Sequence, residues 1–213
     1  MSSITVRDGL LFVLLDPFQM KTKAGIMLPT MQNRMGRPCK GRVLAGDFGP
    51  YIRANARVCW EMGADRPPEG EPDVVALLEP AATMAAYLEE DEMISEEEIS
   101  DAVDDGNAHK CKTGAVIAPA PGRILVEFDE YNTTTKGGVV LPDSATQGKR
   151  APNTGLVLAI GEGCPTVYLG KRVGYELGTE FGVQEGKEVF GVIKPQHVLL
   201  VYHVDGDEGT PLV

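Results

Sequence analysis

At 213 residues, 43% of them apolar, the chain has room for one or two globular domains. A formal net charge of −11 excludes a protein that grips nucleic acid by its backbone, which needs a basic face. No run approaches the roughly 20 apolar residues of a membrane span, and the start, Met-Ser-Ser-Ile-Thr-Val-Arg-Asp-Gly, has no basic region followed by an apolar stretch, so no secretory leader is expected.

Short apolar runs punctuated by Gly, Pro and polar turns predict strands at residues 10–15, 41–45, 57–60, 74–78 and 83–87. The composition then changes. Between Glu89 and Asp105 stand ten acidic residues and no basic one. Ser95-Glu-Glu-Glu98 has the form of a capping box and predicts a short helix over 96–103. The stretch reads as a solvated linker whose charge keeps its neighbours apart, or as an acidic docking segment. Strands return at 123–128, 155–160, 172–175, 188–193 and 198–204. Runs this short, and no helical period among them, predict an all-β chain of small barrels or sandwiches.

The second set of strands is the first set again. Thr22-Lys-Ala-Gly-Ile-Met-Leu-Pro29 recurs 113 residues later as Thr135-Lys-Gly-Gly-Val-Val-Leu-Pro142, with five of eight positions identical. Gly41-Arg-Val-Leu-Ala45 lies over Gly155-Leu-Val-Leu-Ala159 at offset 114. Arg57-Val-Cys-Trp-Glu-Met-Gly63 lies over Arg172-Val-Gly-Tyr-Glu-Leu-Gly178 at offset 115, and Pro80 and Tyr87 lie over Pro195 and Tyr202. The offset grows only within stretches rich in Gly, Pro and polar residues, where loops accept insertions. The chain therefore reads as two copies of one domain, residues 1–88 and 114–213, joined by residues 89–113. Each copy holds about 90 residues, a modest core that often leans on a neighbour.

Within each copy one segment combines apolar residues with polar, Gly-containing flanks. In the second copy Gly137 and Gly138 precede Val139, Val140 and Leu141; in the first, Gly25 precedes Ile26, Met27 and Leu28. Solubility does not require such a triplet, so it is either a buried strand or an apolar hook presented on a loop. The chain resembles GroES-type co-chaperonins in these Gly-Gly-Val-Val-Leu-Pro-like segments. It does so again in Ala118-Pro-Ala-Pro-Gly-Arg-Ile-Leu-Val126, in Gly155 to Gly161, in Tyr-Glu-Leu-Gly-Thr-Glu at Tyr175 to Glu180, and in the apolar run from Val198 to Tyr202. The resemblance covers roughly residues 4–87 and 117–204 and is strongest in the second copy. It implies two partly open β-barrels, assembly into a ring, and mobile loops that dock on a chaperonin ring to cap its cavity. The docking residues would be Gly25, Ile26, Met27, Leu28, Gly137, Gly138, Val139, Val140 and Leu141.

Burying three aliphatic side chains yields about 5–8 kcal/mol in gross transfer terms. Ordering a loop of about ten residues removes much of that. One loop would then bind weakly, and several on one assembly tightly but reversibly.

Two features depart from the family. Residues 47–56 and 162–170 are too short for the hairpins that roof a ring's central opening. Covalent pairs of domains also cannot tile a seven-fold ring, whereas three chains present six domains and four present eight. A six-domain ring would equally suit a pseudo-six-fold lattice, so a viral or phage particle component is the rival reading, with a virion rather than a cytoplasmic location.

No enzyme is expected. His109, His197 and His203 share no motif with a nucleophile or carboxylate, and Asp205-Gly-Asp207-Glu208 lacks the spacing of a calcium loop. Cys39, Cys59, Cys111 and Cys164 are scattered without a CxxC pattern, which favours reduced thiols over a disulfide framework or a zinc site. No cofactor or metal is implied. Trp60, opposite Tyr175 in the repeat, is expected in a core or at an interface.

Overall fold

A computed structural model describes residues 9–16, 39–61, 63–66, 75–90, 94–129 and 153–202. Among the described residues the chain is mostly β, with two antiparallel sheets and one α-helix. The first half supplies β1 (Leu11–Leu15), β2 (Lys40–Ala45), β3 (Arg57–Trp60), β4 (Val75–Leu78) and β5 (Thr83–Tyr87). Helix α1 (Glu96–Asp104) and the two-residue strand β6 (His109–Lys110) follow. The second half supplies β7 (Val116–Pro119), β8 (Ile124–Phe128), β9 (Thr154–Ile160), β10 (Arg172–Tyr175), β11 (Phe181–Glu185), β12 (Glu188–Ile193) and β13 (Val198–Tyr202).

The first sheet runs β4-β1-β2-β3-β5-β7-β6 and the second β11-β12-β8-β9-β10-β13. Within them the orders β4-β1-β2-β3-β5 and β12-β8-β9-β10-β13 correspond strand for strand. Register follows the sequence offsets. Arg57 faces Tyr87, Val58 faces Ala86 and Cys59 faces Ala85; 115 residues on, Arg172 faces Tyr202, Val173 faces Val201 and Gly174 faces Leu200. Each pairing then slips at the next residue, at Trp60 and at Tyr175. Phe12 faces Ala45 and Leu77 as Leu125 faces Ala159 and Val192. Gly41 and Gly155 share one cause: a Cβ at either would stand 2.3 Å from a carbonyl oxygen of the adjacent strand, that of Leu14 or of Glu127.

Among the described residues three apolar clusters hold the frame together. One fills the first half around Leu11, Val13, Val58, Trp60 and Leu78. Another fills the second half around Ile124, Val126, Val157, Tyr175 and Ile193. The third lies between the sheets, where Cys59, Met84, Ala85 and Tyr87 meet Ile117, Leu125, Val183, Phe190 and Val192. Trp60 and Tyr175 are thus core residues, as expected.

The helix forms where its capping box predicts. The Ser95 hydroxyl accepts from the Glu98 backbone N–H at 3.2 Å, and the Glu98 carboxylate accepts from the Ser95 N–H at 2.9 Å. Its acidic residues face solvent, but Ile94, Ala102 and Ala108 are buried in the cluster of the first half, with Ile99 and Val103 packed against it. The reading of this stretch as a solvated spacer holds only for its acidic face. The apolar face closes over the first half's core, and Ile160 N–H donates to the Gly106 carbonyl to join the stretch to β9. Neither 47–56 nor 162–170 contains a strand; Ile52 and Ala56 turn into the core, and Tyr168 and Leu169 pack against theirs.

Candidate functional site: the stems of the two loops

The residues expected to dock a partner, Gly25, Ile26, Met27, Leu28, Gly137, Gly138, Val139, Val140 and Leu141, lie outside the described residues. Their stems are described. Segment 17–38 leaves the end of β1 and returns at the start of β2, and segment 130–152 leaves β8 and returns at β9. Both therefore start from one topological position, between corresponding neighbouring strands.

Backbone bonds close each stem. Asp16 N–H donates to Lys40 O at 3.0 Å, and Asp129 N–H donates to Thr154 O at 3.1 Å. Beside each closure sits a carboxylate–guanidinium pair at corresponding positions: Asp16 with Arg57, and Asp129 with Arg172 at 3.2 Å. All four side chains keep some solvent, so each pair contributes on the order of 1 kcal/mol or less. Their value is positional, since an arginine two strands away, on β3 or β10, holds the last described residue after β1 or β8. Sequence reading missed these pairs, although both recur at the repeat offsets.

Past the carboxylates the stems diverge. In the second half Thr154 Oγ1 donates to Asp129 Oδ2 at 2.7 Å, and Asn153 Nδ2 donates to Tyr175 O at 2.9 Å, all within one sheet. Burial pushes the Tyr175 hydroxyl far above its ordinary pKa, with Glu180 and Asp129 adding to the effect, so it stays neutral. In the first half the stem reaches the other sheet. Lys40 Nζ lies 4.5 Å from the centroid of the Tyr87 ring and donates to Gln184 O at 3.3 Å on β11. Cys39 beside it is half-buried, and burial, aided by Asp65, raises its thiol pKa. A cleft of about 700 Å³ opens there, walled by Cys39, Lys40 and Cys59 on one side and Phe181, Val183 and Gln184 on the other.

Among the described residues the remaining candidates form no chemical site. His109 packs edge-on against Phe190, 5.5 Å between centroids, and His197 pairs with Glu176 at 3.1 Å. His203 and 205–208 lie outside the described residues. Among the described residues no disulfide joins the four cysteines, and no three His, Cys, Asp or Glu side chains converge as a metal site. No helix among them is long and apolar enough to cross a membrane.

Two antiparallel sheets of short strands, in which segments 17–38 and 130–152 each link one corresponding pair of strands, define a mostly β protein. Residues 116–201 match the family model of the chaperonin 10 kDa subunit. The co-chaperonin GroES of Syntrophotalea carbinolica is 33% identical over 96 residues, covering 37% of this chain and 98% of that protein. GroES of a Sulfurovum species is 33% identical over 84 residues, or 35% and 94% of the two chains. GroES of Staphylococcus aureus is 33% identical over 97 residues, or 40% and 98%. The chain belongs to the chaperonin 10, or GroES co-chaperonin, family.

Proposed function

We propose that the chain is a tandem co-chaperonin. Two GroES-type units, 1–88 and 114–213, joined by 89–113, dock the apolar triplets Ile26-Met-Leu28 and Val139-Val-Leu141 on a chaperonin ring and cap its folding cavity. The observation that carries this reading is the common origin of segments 17–38 and 130–152 between corresponding strands, each stem closed by the same bond and the same Asp–Arg pair. Relatives named co-chaperonins, matched over nearly their whole length, support the partner class. The shared strand order and register support the duplication. Assembly of several chains belongs to the same reading, because one triplet binds weakly and many bind tightly. The reading places the protein in the cytoplasm, without catalysis, nucleic acid or membrane. Nothing in the fold or among the relatives favours a particle-component role.

The test is co-migration with a chaperonin on size exclusion, with and without ATP. Capture with nucleotide is expected, and a Met27→Asp, Val140→Asp double variant should lose it while keeping the wild-type circular dichroism spectrum. Absence of co-migration under both conditions sinks the proposal. Loss of folding in the double variant would instead mark the triplets as buried strands.

A further inference from the structure

Helix α1 meets the rest of the chain unequally on its two sides. Toward Pro50 and Tyr51 only about 230 Å³ is left open, and Arg53 lines that space together with Glu98, Asp101 and Asp105. The other side borders a groove of about 720 Å³ between the helix and the β6–β7 ladder. The floor of this groove is apolar. Ile94 and Val116 are buried there, while Ile99 and Val103, one helical turn apart, stay half-exposed.

Above that floor Glu96, Ser100 and Asp104 follow at the same four-residue spacing and form one exposed row along the helix. Ser100 is too short to cover Ile99 and Val103. A carboxylate folded over them would lose water and gain no partner. The helix therefore cannot close the groove with its own side chains. Glu89 brings a third carboxylate to the lining, against the single ammonium of Lys110 among the described residues.

Charge selects the occupant. A purely apolar ligand would strip water from carboxylates at its edge without pairing them. A segment whose apolar side chains alternate with Lys or Arg covers the floor and satisfies the rim together, because long basic side chains lie along apolar surface with their heads in water. This chain is a poor source of such a segment, with 31 acidic residues to 20 basic. We propose that the groove docks a short, extended, basic and amphipathic segment of another protein, its apolar side chains on Ile99, Val103 and Val116 and its cations on Glu89, Glu96 and Asp104. Helix α1 and β6 lie ahead of residues 116–201, the stretch that matches the chaperonin 10 model. The inference uses neither apolar triplet and stands apart from cavity capping.

Fluorescence anisotropy of a labelled seven-residue peptide alternating Lys and Leu, titrated with the full chain, tests it. The peptide should bind about 10-fold more tightly than peptides alternating Lys and Ser or Glu and Leu, and should weaken between about 0.05 M and about 0.5 M salt. Ser100→Trp, which fills the groove, should weaken it about 10-fold, and Glu96→Gln with Asp104→Asn about 5-fold, at unchanged circular dichroism. Asp47→Asn with Glu162→Gln removes two exposed acids elsewhere and should change nothing. The Met27→Asp, Val140→Asp variant should bind the peptide as wild type does, which separates the groove from loop docking. No binding, equal affinity for the Lys–Ser peptide, or folded groove variants that bind like wild type overturn the proposal. Sedimentation at twice the mass of one chain, abolished by Ser100→Trp, would give the groove to a second copy and overturn it as well.

Discussion

Arg123 crosses from the second half of the chain to the first, donating from Nη2 to the carbonyl oxygen of Ala81 at 2.7 Å, with its side chain almost wholly buried. Ala81 lies in the single 3-10 turn between β4 and β5, so this bond fixes the turn that delivers β5 to β7. It sits beside the apolar cluster that joins the sheets, where a charged group needs its acceptor.

Arg123→Met, which keeps much of the length and apolar contact, should cost about 1.5–3 kcal/mol, the range for a lost hydrogen bond to a charged group. Urea midpoints of variant and wild type at pH 7 measure it. An unchanged midpoint would show that the bond contributes nothing net.

The link between the halves gives a second expectation. Gly106 adopts φ +73°, and a Cβ there would stand 2.2 Å from Leu169 Cδ2. Gly106→Ala should lose about 1–3 kcal/mol from backbone strain and the clash together. Adding Leu169→Ala removes the clash and leaves the strain. The double variant should therefore be less destabilised than the sum of the two single ones, and strict additivity would count against the contact.

Alkaline pH probes the cluster between the sheets. Burial pushes the Cys59 thiol up to about 12 and is the leading cause that takes Cys111 to about 11, against an ordinary value near 9. Between these limits the unfolded chain releases protons that the folded chain retains, so stability falls as pH rises from about 9 to about 11. Cys59→Ala should flatten that decline in urea midpoints taken at pH 8, 9.5 and 10.5. Native Cys59 should also resist alkylation at pH 8 and react once the chain is unfolded.

Acid pH acts through His109. Burial, opposed by Glu188 and Glu127, lowers its pKa, so the folded chain keeps the ring neutral against Phe190. As pH falls through about 6.5 the unfolded chain takes up a proton first, and this contribution to stability is lost. His109→Phe should therefore melt with a smaller drop between pH 7 and pH 5 than wild type. Parallel melting curves for the two proteins would sink the assignment.

Local patterning alone placed most of the frame. Ten strands sit within a residue or two of the apolar runs that Gly, Pro and polar turns mark off, and α1 begins at its capping box, because both signals act between residues close in sequence. The repeat offsets also aligned Trp60 with Tyr175 and the two apolar-triplet segments with each other. Other elements escaped such reading. β7 is four residues ending in Pro119, and Gly182 interrupts the alternation of β11, so neither carries a firm strand signature.

Which partner each segment chose was decided in three dimensions. That β7 completes the edge of the first sheet, that the helix turns its apolar side onto the first half's core, and that Arg123 ends on Ala81 all depend on contacts between residues far apart in the chain. Equal strands in equal registers then acquired different surroundings: Ala85 is sealed by β7, while Leu200 remains open. Sequence carries the periodicity that makes a strand; burial belongs to whatever packs against it, and only the folded arrangement of both halves supplies that.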